Sequence, residues 1–343
     1  MLYYYALLYY NINLKQIKTM KKIHLISTLI GLLAFSTISK ADLKVVTSIK
    51  PIHSLASYIM DGVGSPGLIV DGYNSPHSFQ LKPSHAKMLE QADIIFWIGE
   101  DLENFLEKPL ATIAMKAQKI ELLEINGIKK LKFRERNIFD EHDDHGHDAK
   151  KEEHDDDDDH GHDAKKEEHD DHEGHGHGEY DPHIWLDPIN AKVILNEITE
   201  HLIENDSKNA STYKSNLAKA LAEIDKLIID VITETNTDLS YVVFHDAYQY
   251  YENRFNVNIL GAMTVNPDVM PGAEQIHEIH EVIEHDNVSC ILSEPQFNPD
   301  IIKSIAKDTN VKTGVLDPLG ANLKPGKDLY FDLIRNMSAS FNC

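Results

Sequence analysis

The sequence predicts an α/β protein of two (β/α) domains with mostly parallel sheets, joined by one long rigid helix. Three observations predict it. Short apolar runs alternate with helical patterns over residues 43–125, a second alternating set follows over 241–340, and a stretch of more than 25 residues between them is amphipathic without a Gly or Pro. Alternation of this kind puts helices over parallel sheets.

In the first set the candidate strands are "LKVVTSI" (43–49), "SPGLIVDG" (65–72), "ADIIFWIG" (92–99) and "KIELLEI" (119–125), each bounded by Gly, Pro or charge. Helical patterns lie near 52–61, 84–91 and 101–117. Next come "NAKVILNEITEHLIEND" and "NASTYKSNLAKALAEIDKLIIDVITETN", the second being the long linking helix. The second set has strands at 241–245, 256–263, 288–295 and 311–318, with helices at 273–286, 298–308 and 327–340. The expected division is therefore an N-terminal extension and signal over 1–41, a first domain over 42–207, a linking helix over 208–236 and a second domain over 237–343.

From Met20, "MKKIHLISTLIGLLAFSTISKA" has two lysines, an apolar stretch and small residues at Ser39 and Ala41, the layout of an export signal at 20–41. The preceding residues look like no such signal, and a start assigned one Met too early explains them. No later run reaches the 18 or so apolar residues of a membrane span. An exported protein without membrane insertion is expected. The chain has 343 residues and is 42% apolar, enough for real cores. Of the formal charge of −23, residues 140–179 supply 19 acids against 4 lysines. No basic patch with interleaved aromatics is present, which excludes nucleic-acid partners. Cys290 and Cys343 are the two cysteines, and neither lies near the cleavage point to carry a lipid. In an oxidising compartment they form one disulfide or stand as two buried thiols.

Residues 140–179 form an insert. "DHGHDAKKEEHDD" occurs at 144–156 and again at 159–171, a tandem duplication of period 15. With almost nothing apolar to bury, a disordered loop is expected. It carries ten candidate auxiliary metal ligands: His142, His145, His147, His154, His160, His162, His169, His172, His175 and His177. Imidazole beside carboxylate suits Zn²⁺, Cu²⁺ or Ni²⁺, but a flexible tract cannot select one ion. Selection needs ligands on rigid elements. Three histidines stand at strand ends or beside prolines: His77 in "NSPHSFQLKPS", His183 in "DPHIWLDP" and His245 in "VVFHDAY". His53, His201, His277 and His280 read as structural or exposed.

The segments "VVTSIKPIHSLA", "HSFQLKPS", "ADIIFWIG", "HIWLDP", "VFHDAYQYYENRF", "TVNPDVMPGAEQIHEI", "SEPQFNP" and "LDPLG", in order from Val45 to Gly320, resemble the high-affinity zinc-uptake periplasmic binding proteins, the ZnuA type of ABC-transporter receptor. The resemblance implies a metal site in the interdomain cleft, with His77, His183 and His245 as ligands of transported Zn²⁺. It puts a family carboxylate at Asp317, as a ligand or nearby, with water as the other choice, and implies a Cys290–Cys343 disulfide. It also implies a periplasmic monomer that serves an ABC permease and its ATPase, and no enzyme. Two departures stand out: Pro76 precedes the first histidine where some relatives have Glu, and His85 follows "PS" where Asp is usual. The alternatives are a manganese or iron receptor of the same family, a metal buffer that uses the insert alone, and a zinc hydrolase or lyase with Glu294 or Asp246 as base. Three imidazoles plus oxygen favour Zn²⁺, whereas Mn²⁺ prefers more carboxylate oxygen, and binding is expected to weaken below about pH 6.

Overall fold

The computed structural model describes residues 42–134, 136–139, 178–267, 269 and 271–343. The export signal and the ten histidines of the insert lie outside the described residues.

Strands β1 (Val45–Thr47), β2 (Gly67–Leu68), β3 (Ile94–Trp97) and β4 (Gln118–Glu121) form one sheet in the order β2-β1-β3-β4. Strands β5 (Ser240–His245), β6 (Asn258–Thr264), β7 (Cys290–Ser293) and β8 (Lys312–Val315) form a second in the order β6-β5-β7-β8. Every pairing is parallel. β1, β3 and β5 are buried at every position, which is why they read as unbroken apolar runs. All eight expected strands are present, in the expected order and three to six residues shorter, β5 and β6 excepted.

Both sheets repeat one order, in which the chain reverses direction across the sheet between β1 and β3, and between β5 and β7. Such reversals open a crevice beyond the carboxyl ends of the strands. Period-2 alternation on β5 sends Tyr241 and Val243 into the large core cluster, which draws on both halves of the chain. Val242 and Phe244 go into a smaller cluster with Ile279, Ile302 and Ile305.

Helices α1 (Lys50–Ile59), α2 (Pro83–Gln91), α3 (Glu100–Thr112) and α4 (Pro188–Asn205) belong to the first half. The long helix is α5 (Ala210–Glu234), whose buried Tyr213, Asn216, Ala220, Ile224, Leu227 and Val231 recur at three- and four-residue steps along one face. The second half holds α6 (Gln249–Phe255), α7 (Ala273–His285), α8 (Asp300–Thr309) and α9 (Leu329–Ser340). α9 packs on α1 and α5, so the last helix of the chain returns to the first half. α6 has no counterpart in the sequence reading. Its Gln249, Tyr250, Tyr251 and Phe255 are buried, and seven residues, about two turns, are too short for a helical period to show.

His85 replaces the usual acid without loss of the turn that starts α2: its Nδ1 accepts the Lys82 N–H at 3.2 Å, the N3 role in a capping box. Burial, then Lys82, lowers its pKa and keeps that nitrogen an acceptor. Cys290 and Cys343 are joined as a disulfide, Cα atoms 6.3 Å apart, tying the chain end to β7. No helix among the described residues is long and apolar enough to cross a membrane.

Candidate metal centre

His245 ends β5, and Glu294 follows β7 directly, so both stand at the crevice of the second sheet. The His245 Nδ1–H donates to Glu294 Oε1 at 2.6 Å. His183 sits in the tight connection between the end of the insert and α4. There Asp181 Oδ1 accepts both the His183 backbone N–H at 2.9 Å and its Nδ1–H at 2.7 Å, an Asx-type turn across Pro182. The chain then makes a 3₁₀ turn, Ile184–Leu186, before Asp187 caps α4 by accepting the Ile189 N–H at 2.8 Å. His77 lies in the long loop after β2, its N–H donating to Ser75 Oγ at 3.2 Å. Phe79, two residues on, packs in tilted ring contacts on Phe105 of α3 and on His85.

The three imidazoles form a nearly equilateral triangle, with ring centroids 5.2, 5.5 and 5.7 Å apart. Each offers a nitrogen within 4.8 Å of the other two. The Nε2 atoms of His183 and His245 face one another at 3.4 Å. Carboxylates only accept, so Asp181 and Glu294 fix the Nδ1–H tautomer and leave both Nε2 lone pairs aimed at a common point. Trp185, Phe297, Pro76, Pro318 and Leu319 wall a cavity of about 10 Å³, room for one small ion or water. The Trp185 Nε1–H, donating to Pro318 O at 2.8 Å, fixes that wall.

Electrostatics separate the two buried rings. Burial, with the His245 charge adding to it, holds the His183 pKa well below the usual imidazole value. For His245 burial acts in the same direction, but Glu294, then Asp246 and Asp181, overcome it and raise the pKa. Burial also pushes Asp181 up to about 7, against the pull of the His183 N–H, Arg134 and His245. Two imidazole nitrogens held face to face in a buried site could hold a small divalent cation.

The structure brings His77, His183 and His245 together and leaves Asp317 out. Among the described residues the three histidines alone make up the group of mutually close ligand atoms. Asp317 Oδ1 accepts from Leu319 N at 3.1 Å, Gly320 N at 3.0 Å and Gln296 Nε2 at 3.0 Å, and Oδ2 from Ala321 N at 2.6 Å. Its charge is spent on a turn whose Gly320 has φ +69°. It shapes the Pro318–Leu319 wall from behind. Asp181 was missed as a partner of the site, although its signal was readable in "DPH": an acid two residues before a histidine across a proline. Glu294 entered the sequence reading only as a candidate base. His53 lies buried beside Ser57, His201 between Glu197 and Gln118, and His277 exposed beside Glu281.

Residues 45–342 match the profile of the family described as ZnuA, zinc-uptake complex component A, periplasmic. The chain is 48% identical over 301 residues to the high-affinity zinc uptake system protein ZnuA of Brucella abortus (strain 2308), covering 86% of this chain and 90% of that protein. To the protein of the same name from Yersinia pestis it is 37% identical over 322 residues, covering 91% and 94%. A crystal structure of ZnuA superposes with a TM-score of 0.67 at 20% identity over 88% of this chain and 100% of that one. FpvC of Pseudomonas aeruginosa, solved with Mn²⁺, gives 0.68 at 17% over 88% and 98%. These two likenesses speak to the fold. With the profile spanning nearly the whole described chain and relatives alike over nine-tenths of their length, the protein belongs to the ZnuA family of periplasmic zinc-uptake components.

Proposed function

We propose that this protein captures Zn²⁺ in the periplasm with His77, His183 and His245 and delivers it to an ABC permease driven by its ATPase. The observation that carries the reading is the convergence of three imidazole nitrogens, two of them at 3.4 Å. A tetrahedral shell with Zn–N of about 2.0–2.1 Å places its ligand atoms about 3.3–3.4 Å apart, which that pair satisfies. The nearest carboxylates, Asp181 and Glu294, turn to the Nδ1 side of the rings, so nitrogen dominates the set. That favours zinc over manganese, which prefers oxygen. Water completes the shell, since Asp317 is held by its own turn.

The ten histidines of the insert serve as an auxiliary, less selective reservoir for the same ion. The protein acts by binding and release as a monomer, without catalysis, after removal of its export signal. Calorimetric titration of the protein lacking 140–179 with Zn²⁺ and Mn²⁺ tests this account. One tight zinc event, abolished by His245→Ala, is expected; a manganese preference, or loss of all tight binding with the insert, would refute it.

A further inference from the structure

The Arg134 guanidinium lies between the two pieces of chain that carry His183 and His245. Its Nη1–H donates to Asp246 Oδ1 at 2.9 Å and to Glu252 Oε1 at 3.2 Å, and its Nη2–H to Glu252 Oε2. Its plane covers the Phe139 ring at 3.8 Å. The two acid side chains are only 4% and 10% exposed, so this is a nearly dry ion triad, and loss of one member would strand charge inside the protein.

The backbone beside Arg134 is pinned to the other piece of chain. Lys132 pairs antiparallel with Tyr180, the Asp181 N–H donates to Leu131 O at 2.8 Å, and the Phe133 N–H to Glu179 O at 3.3 Å. Tyr250, on the same helix as Glu252, closes the unit: its hydroxyl donates to Asp181 O at 2.8 Å and accepts the Leu131 N–H at 3.0 Å. Farther on, Ile138 pairs antiparallel with Gly261 of β6, where an added Cβ would stand 2.7 Å from Asn137 O. Asp246 directly follows His245, and Asp181 orients His183.

We propose that Arg134 is a positioning residue of the metal centre: it clamps the turn after His245 to the segment before His183 and so sets the separation of their Nε2 atoms. It acts through Asp246, Glu252 and the 131–134 segment. A planar guanidinium fixes the direction of two carboxylates at once, which an ammonium does less well. This rests on the reading of the three histidines as the zinc site.

The test compares Arg134→Gln, Arg134→Lys and the double variant Arg134→Gln/Glu252→Gln in the full chain. Zn²⁺ affinity is measured by chelator competition and Co²⁺ coordination by visible absorption, with His183→Ala giving the background from the insert. Arg134→Gln is expected to weaken zinc about tenfold or more and to alter the Co²⁺ band, with partial recovery in Arg134→Lys. The double variant is expected to recover melting temperature but not affinity. A folded Arg134→Gln protein with unchanged affinity and band overturns the proposal, as does a double variant that regains affinity together with stability. If the unaltered protein binds zinc no better than His183→Ala, the reading of the centre itself fails, and the proposal with it.

Discussion

Glu294→Gln keeps the shape of the side chain and removes its charge. In the native protein that carboxylate accepts the His245 Nδ1–H at 2.6 Å, with both side chains nearly sealed from solvent. The contact fixes the tautomer and makes Nε2 more basic. A neutral amide accepts the same proton less strongly, and an outer partner of a ligating histidine is worth about tenfold in metal affinity, about 1.4 kcal/mol. That loss should appear most fully near pH 8, where proton competition for His245 is weakest.

The pH course then follows from the sign of the His245 shift. Burial disfavours its charged form, but Glu294 outweighs burial and raises the pKa, so in the native protein Zn²⁺ displaces a proton from His245 at mildly acidic pH. Without Glu294, burial dominates, the pKa falls and that competition lessens. The deficit of the variant should therefore shrink as pH falls from 8 toward 6. The assay is Zn²⁺ calorimetry on both proteins at several pH values. Unchanged affinity at pH 8, or a deficit that widens on acidification, would refute the reasoning.

Three further outcomes are expected. Glu103 is fully buried in α3, its Oε2 accepting the Ile98 and Gly99 N–H groups at 2.8 and 3.1 Å, and burial pushes its pKa from 4.5 up to about 7. A raised carboxyl contributes stability below pH 4.5 that is lost as pH rises through 7, so Glu103→Gln should stabilise the protein at pH 8 by up to about 3 kcal/mol, seen as a higher melting temperature, and change little at pH 4. Breaking the Cys290–Cys343 bond, which spans 53 residues, with Cys343→Ser should cost about 4 kcal/mol in denaturant titration on loop-entropy grounds. Asp317→Asn should lower stability by about 1–2 kcal/mol through its turn while leaving zinc affinity within about threefold, and a larger affinity loss in calorimetry would restore Asp317 as a ligand.

Much of the site was legible because its signals are local. His183 is announced by the prolines around it, and His245 by the end of an apolar run. The central strands β1, β3 and β5 were legible for the same reason: buried along their whole length, they read as largely apolar runs. Apart from Asp181, what escaped were groups whose role depends on partners remote in sequence. Glu294 stands 49 residues from His245 and Arg134 lies 112 residues from Asp246, and no periodicity reports either pairing. α6 escaped because a helix of seven residues is too short to display a period.

The sequence by itself determined the α/β class, the order of the strands along the chain, the long helix, the insert and the three histidines, since each follows from patterning or residue chemistry within a short window. The tertiary structure alone decided which carboxylate does what. Asp317, placed by the family resemblance as a ligand or near one, accepts the N–H groups of its own turn, while Asp181 and Glu294 take the outer faces of the imidazoles. A carboxylate's function depends on which donors reach it within about 3 Å, and that distance is set by packing, not by position in the chain.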